Sequence, residues 1–360
     1  MSIAMFVLGL VTLVAGAQIM VRGSSKLALS FGISPLVVGL TVVAFGTSAP
    51  ELAVSVRSSW GGQVDIALGN VVGSNIFNVL FILGVSALVA PLLVAPQLIR
   101  QEVPFMLGAS LLLFALASDG GIGRGDGALL FGLLVAYIVF LIRQSRRESR
   151  ATQDEYAQEF AAPSDAAWDR HWGVQLVLIF AGLALLVVGA NWLVGAAVSF
   201  ARALGLSEMV IGLTIVAIGT SLPEVAASLV ATLRGERDIA VGNVIGSNVF
   251  NILGVLGLSS LVAPHALPVP PAMLNFDLLV MIGVALACLP IFFTGHVIER
   301  WEGALFLAYF FAYTAYLLLA SQQHDLLDTF GTAMTTVVIP LTVVTLAVFA
   351  ARHWRERRQG

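Results

Sequence analysis

The chain has 360 residues, of which 58% are hydrophobic and only 11% charged, with a mean hydropathy of +0.95. A soluble domain is about half apolar and a quarter charged, so this composition excludes an ordinary soluble protein and indicates a polytopic membrane protein. The net charge of -3 is too small to select nucleic acid, and the single cysteine, Cys288, excludes an intramolecular disulfide and a cysteine metal site.

Hydropathy predicts eleven membrane spans, and the first has no basic segment before it that would mark a cleaved signal. The single long polar connection, 143–171, is predicted to be a linker. The predicted spans are residues 3–21, 34–60, 66–90, 97–118, 125–142, 173–198, 207–233, 238–262, 270–293, 301–320 and 329–351.

Basic residues fall unequally on the two sides of the predicted membrane. Connections that follow odd-numbered spans hold 15 of the 18 Lys and Arg residues, and the other side holds only Arg57, Arg124 and Arg202. The positive-inside rule then predicts a multi-pass protein of the cell (inner) membrane, with the N-terminus outside and both the linker and the C-terminus in the cytoplasm.

The chain contains an internal duplication with an offset of 173 residues. "GLTVVAFGTSAPELAVS" at 39 matches "GLTIVAIGTSLPEVAAS" at 212, and 32 of the 53 positions in 39–91 are identical in 212–264. Each copy holds five predicted spans, an odd number, so the second copy enters the membrane inverted. Inverted repeats with polar, interrupted helices are typical of secondary transporters.

The predicted fold class is therefore an all-α polytopic membrane protein, with two inverted five-helix repeats plus one extra C-terminal transmembrane helix. The predicted domains are the first repeat at 1–142, the cytoplasmic linker at 143–171, the second repeat at 172–320, and the extra helix with a basic tail at 321–360.

The second span of each repeat combines a proline with a glutamate. Pro50 and Pro223 fall in the middle of their spans, where a missing N–H predicts a kink and carbonyls that can face inward. Threonines four residues before each glutamate share its helical face, and serines follow one position on. These residues are Thr47, Ser48 and Glu51 in the first repeat and Thr220, Ser221 and Glu224 in the second.

The third span of each repeat carries a polar stripe with a spacing of four residues. The stripes are Asn70, Ser74 and Asn78 in the first repeat and Asn243, Ser247 and Asn251 in the second. Together with the second spans they offer only oxygen ligands, which suit a hard cation such as Ca²⁺, and two carboxylates neutralise one divalent ion. The sequence thus predicts that the transported ion itself compensates the buried charges.

The same charges favour exchange over leak. A site without a cation would leave two bare carboxylates in the membrane, each costing roughly 2.5–3.5 kcal/mol or more at a helix centre. Reorientation with cations bound is then easier than reorientation without them, so obligatory exchange is expected.

The paired motifs resemble the α-repeats of the cation/Ca²⁺ exchanger superfamily, which read G-T-S-x-P-E and G-N-x-x-G-S-N-x-x-N. The first stands at 46–51 and 219–224, the second at 69–78 and 242–251. With flanking helices the resemblance covers residues 1 to about 320, and the short linker is similar to that of prokaryotic sodium/calcium exchangers. The resemblance implies an antiporter with no cofactor, whose partners are Na⁺, Ca²⁺ and the lipid bilayer, with no obligate protein partner.

The resemblance also implies roles for individual residues. Glu51 and Glu224 would bind Ca²⁺ and Na⁺, with carbonyls of Thr47 and Thr220 completing the Ca²⁺ site. Two peripheral Na⁺ sites and two central amides would complete the set. One Na⁺ site would comprise Ser48, Ser74 and the Ala44 carbonyl, the other Ser221, Ser247 and the Ala217 carbonyl, and Asn78 and Asn251 would face the middle.

Several alternatives stay open at this point. Some prokaryotic members carry Asp where this chain has Asn251, so this chain lacks one possible proton-binding or K⁺-binding carboxylate. Relatives that exchange Ca²⁺ for H⁺ or require K⁺ share the fold, so a Ca²⁺/H⁺ or K⁺-dependent antiporter on the same scaffold is the alternative to Na⁺ exchange. A cation channel is less compatible with inverted repeats and kinked helices. An enzyme is not expected, because all five histidines lie in connections or at span ends. Structural hydrogen bonding between helices is the competing interpretation for Asn70, Asn75, Asn243 and Asn248.

Overall fold

The computed structural model describes residues 2–31, 33–61, 64–145, 171–203 and 217–348. Within these ranges nine helices are long and apolar enough to cross a membrane, and a bent pair makes a tenth span. Three predicted features fall largely outside the described residues: the linker (146–170), the first part of the seventh span (204–216) and the basic tail (349–360).

The described helices follow the order of the predicted spans, and four two-residue strands, which were not predicted, lie between them. The first half comprises α1 Ser2–Phe31, α2 Pro35–Thr47, α3 Ala49–Trp60, α4 64–89, β1 Leu92–Leu93, α5 Leu98–Ala117, β2 Gly121–Ile122 and α6 Arg124–Ser145. The second half comprises α7 Trp172–Ala203, α8 Ala217–Gly219, α9 Leu222–Leu233, α10 Arg237–Val262, β3 Leu267–Pro268, α11 Met273–Phe293, β4 Val297–Ile298, α12 Arg300–Ser321 and α13 Leu326–Val348.

Helix α1 is longer than the predicted first span, which ended at residue 21. It continues to Phe31, so Arg22 and Lys26 belong to the helix and not to a connection. The stretch around these basic residues is partly buried in spite of its polarity: Ser24 is fully covered and Ser25 is 8% exposed. Long basic side chains extend their charged ends from such a helix to water, which allows the helix to continue past them.

Helices α1 and α7, the first helices of the two copies, pack closely and run antiparallel. A Cβ on Gly9 would lie 2.7 Å from the backbone nitrogen of Leu193, and a Cβ on Gly23 would lie 2.9 Å from the carbonyl oxygen of Gln175. Later residues of α1 therefore contact earlier residues of α7, which shows that the two helices run in opposite directions. Equivalent helices thus point in opposite directions, as an inverted duplication requires.

The centre of the molecule is formed by α4 and α10, the third helices of the copies. Residues 239–257 of α10 are all buried. Both helices switch to a π-helical segment at the same motif position, Asn78–Leu83 in α4 and Asn251–Leu256 in α10. A π segment inserts an extra residue into the helical ladder and often marks a functional position. The sequence analysis did not predict these segments.

Two short strand pairs join the copies at their connections. Strand β1 pairs antiparallel with β4, and β2 pairs antiparallel with β3. Each pair is extended by one further backbone hydrogen bond, from Val94 to the carbonyl of His296 (2.8 Å) and from Val269 to the carbonyl of Gly120 (2.9 Å). Every pair takes one strand from each copy, so the two halves are tied together.

The α1–α7 contact predicts a position-specific cost for an added methyl group. A Cβ on Gly182 would lie 2.6 Å from the backbone nitrogen of Met20, whereas a Cβ on Gly195 of the same helix meets no described atom within 4 Å. We expect Gly182→Ala to destabilise the protein by about 1–3 kcal/mol through overpacking. Gly195→Ala gains the same helix propensity without a clash. Thermal unfolding of the two purified variants measures the difference, and equal melting temperatures would contradict the packing.

Candidate cation site between the two repeats

The second span of the first repeat is broken as predicted. Helices α2 and α3 meet at an angle of 46°, and Ser48 at the break leaves helical geometry with φ -81° and ψ 5°. Ser221 has nearly the same backbone angles in the second repeat, φ -88° and ψ 6°. Pro50 and Pro223 lie in the first turn of the helices that follow, where a missing N–H does no harm.

The two glutamates lie in the first turns of α3 and α9 and are completely buried. Both Glu51 and Glu224 are 0% exposed, and each accepts a hydrogen bond from the residue at the break before the other, which brings the two acids close together. The N-terminus of a helix favours a negative charge, which offsets part of the desolvation of each carboxylate. The break therefore creates two helix starts inside the protein, and each start holds one acid.

Each carboxylate accepts a hydrogen bond from the serine of the other copy. Ser48 donates to Oε1 of Glu224 at 3.1 Å, and Ser221 donates to Oε1 of Glu51 at 3.0 Å. The second oxygen of each acid, Oε2, is buried without a hydrogen-bond partner among the described residues. One oxygen of each acid thus remains for a ligand.

The threonines are held by asparagines across the same interface. Thr47 donates to Oδ1 of Asn243 at 3.1 Å, and Asn243 donates to Ser228 at 2.9 Å. The equivalent chain runs from Thr220 to Asn70 (3.4 Å) and from there to Ser55 (2.9 Å). Each asparagine therefore links a threonine of the other copy to a serine of its own.

Ser55 and Ser228 were missed by the sequence analysis. Both are buried, and each lies one turn after a glutamate. The signal was present, because "ELAVS" and "EVAAS" keep the serine at the same position in both copies. Attention to side chains four residues after each glutamate would have found them.

The central asparagines open the two π segments and offer free oxygens. The Nδ2 atoms of Asn78 and Asn251 donate to neighbouring amides, whereas both Oδ1 atoms are buried without a partner in the described part of the chain. The hydroxyl of Ser247 has no partner there either. Free oxygens at the carboxylates and at these amides are the ligand type that Ca²⁺ and Na⁺ bind.

Ser74 contacts the serine of the opposite copy, a pairing that the resemblance did not imply. The Ser74 and Ser221 hydroxyl oxygens lie 3.2 Å apart, and because the Ser221 hydrogen goes to Glu51, Ser74 is the donor of this pair. The reason is the inversion, which places the third helix of one copy beside the break in the other. The carbonyl of Ala44 accepts from the Ser48 backbone at 3.0 Å.

The remaining predicted ligands are placed only in part. Ala217 begins the short helix α8, just before the break at Thr220 and Ser221. The structure describes the position of its backbone in that helix and nothing of its side chain. Within the described ranges, no group of three or more His, Cys, Asp or Glu residues converges. The site therefore has two acids and otherwise neutral oxygen donors.

Comparison with known proteins connects this arrangement to a family. The family described as sodium/calcium exchanger protein matches residues 1–143 and 174–319. The putative antiporter CaxA of Alkalimonas amylolytica is 41% identical over 87% of this chain and 97% of its own. The sodium/calcium exchanger MaX1 of Methanosarcina acetivorans is 35% identical over 86% of this chain and 96% of its own.

A solved structure and a more distant relative extend the comparison. The structure of the sodium-calcium exchanger NCX_Mj superposes with a TM-score of 0.74 at 34% identity, over 87% of this chain and 98% of that one. The Ca²⁺/H⁺ antiporter ChaA of Bacillus subtilis is 26% identical over 89% of this chain and 91% of its own.

The two threonine–asparagine–serine series of hydrogen bonds predict that equivalent substitutions reduce stability by different amounts. Asn243 is 0% exposed, whereas Asn70 is only partly buried. We expect Asn243→Ala to lower the free energy of unfolding by about 1–3 kcal/mol, because the buried hydroxyls of Ser228 and Thr47 would each lose their hydrogen bond to Asn243. Asn70→Ala should cost less, since water can replace the amide there. Thermal unfolding in detergent gives the comparison, and a larger loss for Asn70→Ala would show that burial does not set the cost.

Proposed function

The chain belongs to the sodium/calcium exchanger protein family, and on that premise we propose that it exchanges Ca²⁺ for Na⁺ across a membrane by alternating access. It is a multi-pass membrane protein of a family of antiporters. The proposal adds the identity of the two ions, their binding at the interface of the repeats, and the mode of transport.

The observation that carries the proposal is the crossed serine–carboxylate pair. Glu51 and Glu224 each keep one buried oxygen without a described partner, and their other described partners are neutral hydroxyls. Two negative charges in a dry site are neutralised equally by one Ca²⁺ or by two Na⁺. Competition between the two ions for the same oxygens would couple their movements in opposite directions.

Unequal burial of equivalent helices supports alternating access. On α9, Ala226, Ala227, Val230 and Ala231 are at most 7% exposed, and they pack in one cluster with residues of α1 such as Met20 and Ala28. The equivalent positions of α3 are exposed or only partly buried: Ala53, Val54, Arg57 and Ser58. Beside the buried site, this face of α9 is thus covered by protein and the equivalent face of α3 is open, although the two helices began as copies.

Exchanging the two environments would give the opposite state of the transporter. If α7 covered α3 as α1 now covers α9, access would switch sides without any change in the site itself. With the orientation that the basic residues predict, the open α3 side faces outside and the covered α9 side faces the cytoplasm. The N-terminus would then lie outside and the C-terminus in the cytoplasm.

Proton coupling is the second candidate, and one relative favours it. ChaA is named as a Ca²⁺/H⁺ antiporter, and the chain aligns with 91% of its length. Asn251, however, supplies no titratable group beside the two glutamates. A proton would have to bind Glu51 or Glu224 itself, so Ca²⁺ and H⁺ would compete directly there.

Neutralising either glutamate should abolish Ca²⁺ uptake. We expect Glu51→Gln and Glu224→Gln to remove ⁴⁵Ca²⁺ uptake into vesicles loaded with Na⁺, because each removes half of the compensating charge. Glu102→Gln is the matched control, since Glu102 is also buried but is held by Tyr137 of α6 and by Gln97 at the start of its own helix. Uptake driven by a pH gradient and independent of Na⁺ would replace Na⁺ by H⁺ in the proposal, and normal uptake by both variants would refute the site.

Cysteines at equivalent positions should react differently with a water-soluble thiol reagent. Arg57→Cys lies on the open side and should be labelled at least about tenfold faster than Val230→Cys, which is covered by α1. The native Cys288 is fully buried and gives a low background. Labelling with and without Ca²⁺ or Na⁺ tests whether the ions shift the two rates in opposite directions. Equal rates under all ionic conditions would contradict alternating access at these helices.

A further inference from the structure

A second set of amides lies where α4 crosses α10. Asn75 and Asn248 occupy equivalent positions in the two copies and are 2% and 3% exposed. The amide nitrogen of Asn75 donates to the backbone carbonyl of Asn248, and the nitrogen of Asn248 donates to the carbonyl of Asn75, both at 3.3 Å. The two residues therefore form a reciprocal pair of side-chain to backbone hydrogen bonds across the interface of the repeats.

This exchange determines which way each amide points. A backbone carbonyl only accepts hydrogen bonds, so the end of Asn75 or Asn248 that meets it must be the NH₂ group. The oxygen of each side chain is then left to accept. Asn78 donates to Oδ1 of Asn248 at 3.0 Å, and Asn251 donates to Oδ1 of Asn75 at 3.2 Å.

The orientation of the central asparagines follows in turn. Because their NH₂ groups are held by Asn248 and Asn75, their own oxygens point away and are the free, buried atoms of the candidate site. A half-turn of either amide would put an NH₂ group, which repels a cation, where the oxygen now lies. An amide without such a neighbour has two orientations, and only one of them offers a cation ligand.

We propose that Asn75 and Asn248 are positioning residues that hold the amides of Asn251 and Asn78 with their oxygens available to the transported cation. The inference rests on the proposed function, because it assumes that a cation binds at these oxygens. It assigns a role in binding to two residues that do not offer their own oxygens to the ion.

A purely structural role for Asn75 and Asn248 makes different predictions. Both residues also approach sulfur atoms, Met281 Sδ at 3.6 Å from Asn75 and Met106 Sδ at 3.4 Å from Asn248, and they help to join two helices. If that were their whole contribution, a substitution would lower stability without depending on the chemistry of residue 251 or 78. The positioning role requires such a dependence.

The first measurement is ⁴⁵Ca²⁺ binding to the purified full-length protein in detergent without Na⁺. We expect Asn75→Ala to raise the Ca²⁺ concentration for half-saturation about tenfold or more, because Asn251 can then turn its NH₂ group inward. Ile76→Ala is the control for lost packing, since Ile76 is the adjacent residue, apolar and 0% exposed. It should lower the melting temperature without a comparable change in Ca²⁺ binding.

The decisive measurement combines Asn75→Ala with Asn251→Asp. A carboxylate presents an oxygen in either orientation, so nothing is left for Asn75 to orient. In the Asn251→Asp background we expect Asn75→Ala to change Ca²⁺ binding by less than about twofold, or to improve it, because the oxygen of Asn75 would face an oxygen of the new acid. A tenfold loss in both backgrounds would overturn the positioning role.

The equivalent pair provides an independent repetition. Asn248→Ala should weaken Ca²⁺ binding, and Asn78→Asp should suppress that effect. If both alanine variants fail to fold and the two aspartates do not restore folding, the asparagines are assembly residues and the proposal is refuted. Absence of Ca²⁺ binding by the unmodified protein would instead refute the proposed function, so the two failures are distinguishable.

Discussion

Two carboxylates buried side by side are the constraint on which the rest of the site depends. Glu51 and Glu224 are both fully buried, and their hydrogen-bond donors are neutral serines. Burying an acid is costly, and hydroxyl donors and helix N-termini offset part of that cost. The broken helices and the crossed serines serve this arrangement, because each brings a helix start or a neutral donor to the acids. Asn70 and Asn243 donate to the backbone carbonyls of Glu51 and Glu224, at 3.2 and 3.5 Å.

Much of this was readable from the sequence, since the physical signals were local and duplicated. Pro50 and Pro223 predict the break through a missing N–H, and the 173-residue offset predicts which residues are equivalent. A chain with one copy of these motifs would have supported far weaker inferences.

What the sequence could not supply is how the copies meet. Partner choice across the interface depends on three-dimensional placement, so Ser74 was assigned to the serine of its own copy although it contacts Ser221. The π segments at Asn78 and Asn251 depend on tertiary packing and have no composition signal. The length of α1 was underestimated because Arg22 and Lys26 look like the end of a span when neighbouring helices are not considered. Nor can identical motifs reveal that α9 is covered while α3 is open.

The strand pairs at the connections carry a consequence for ancestry. Because β1 pairs with β4 and β2 with β3, neither half of the chain can complete a strand pair alone. A separate five-helix chain would have found both missing strands on an upside-down copy of itself. The crossed hydrogen bonds obey the same exchange, so an antiparallel pair of identical subunits could have formed this interface before one gene encoded both halves. After such a fusion the two halves could diverge in sequence. Arg57 and Val230, which differ at equivalent positions, lie where the two halves meet different sides of the membrane.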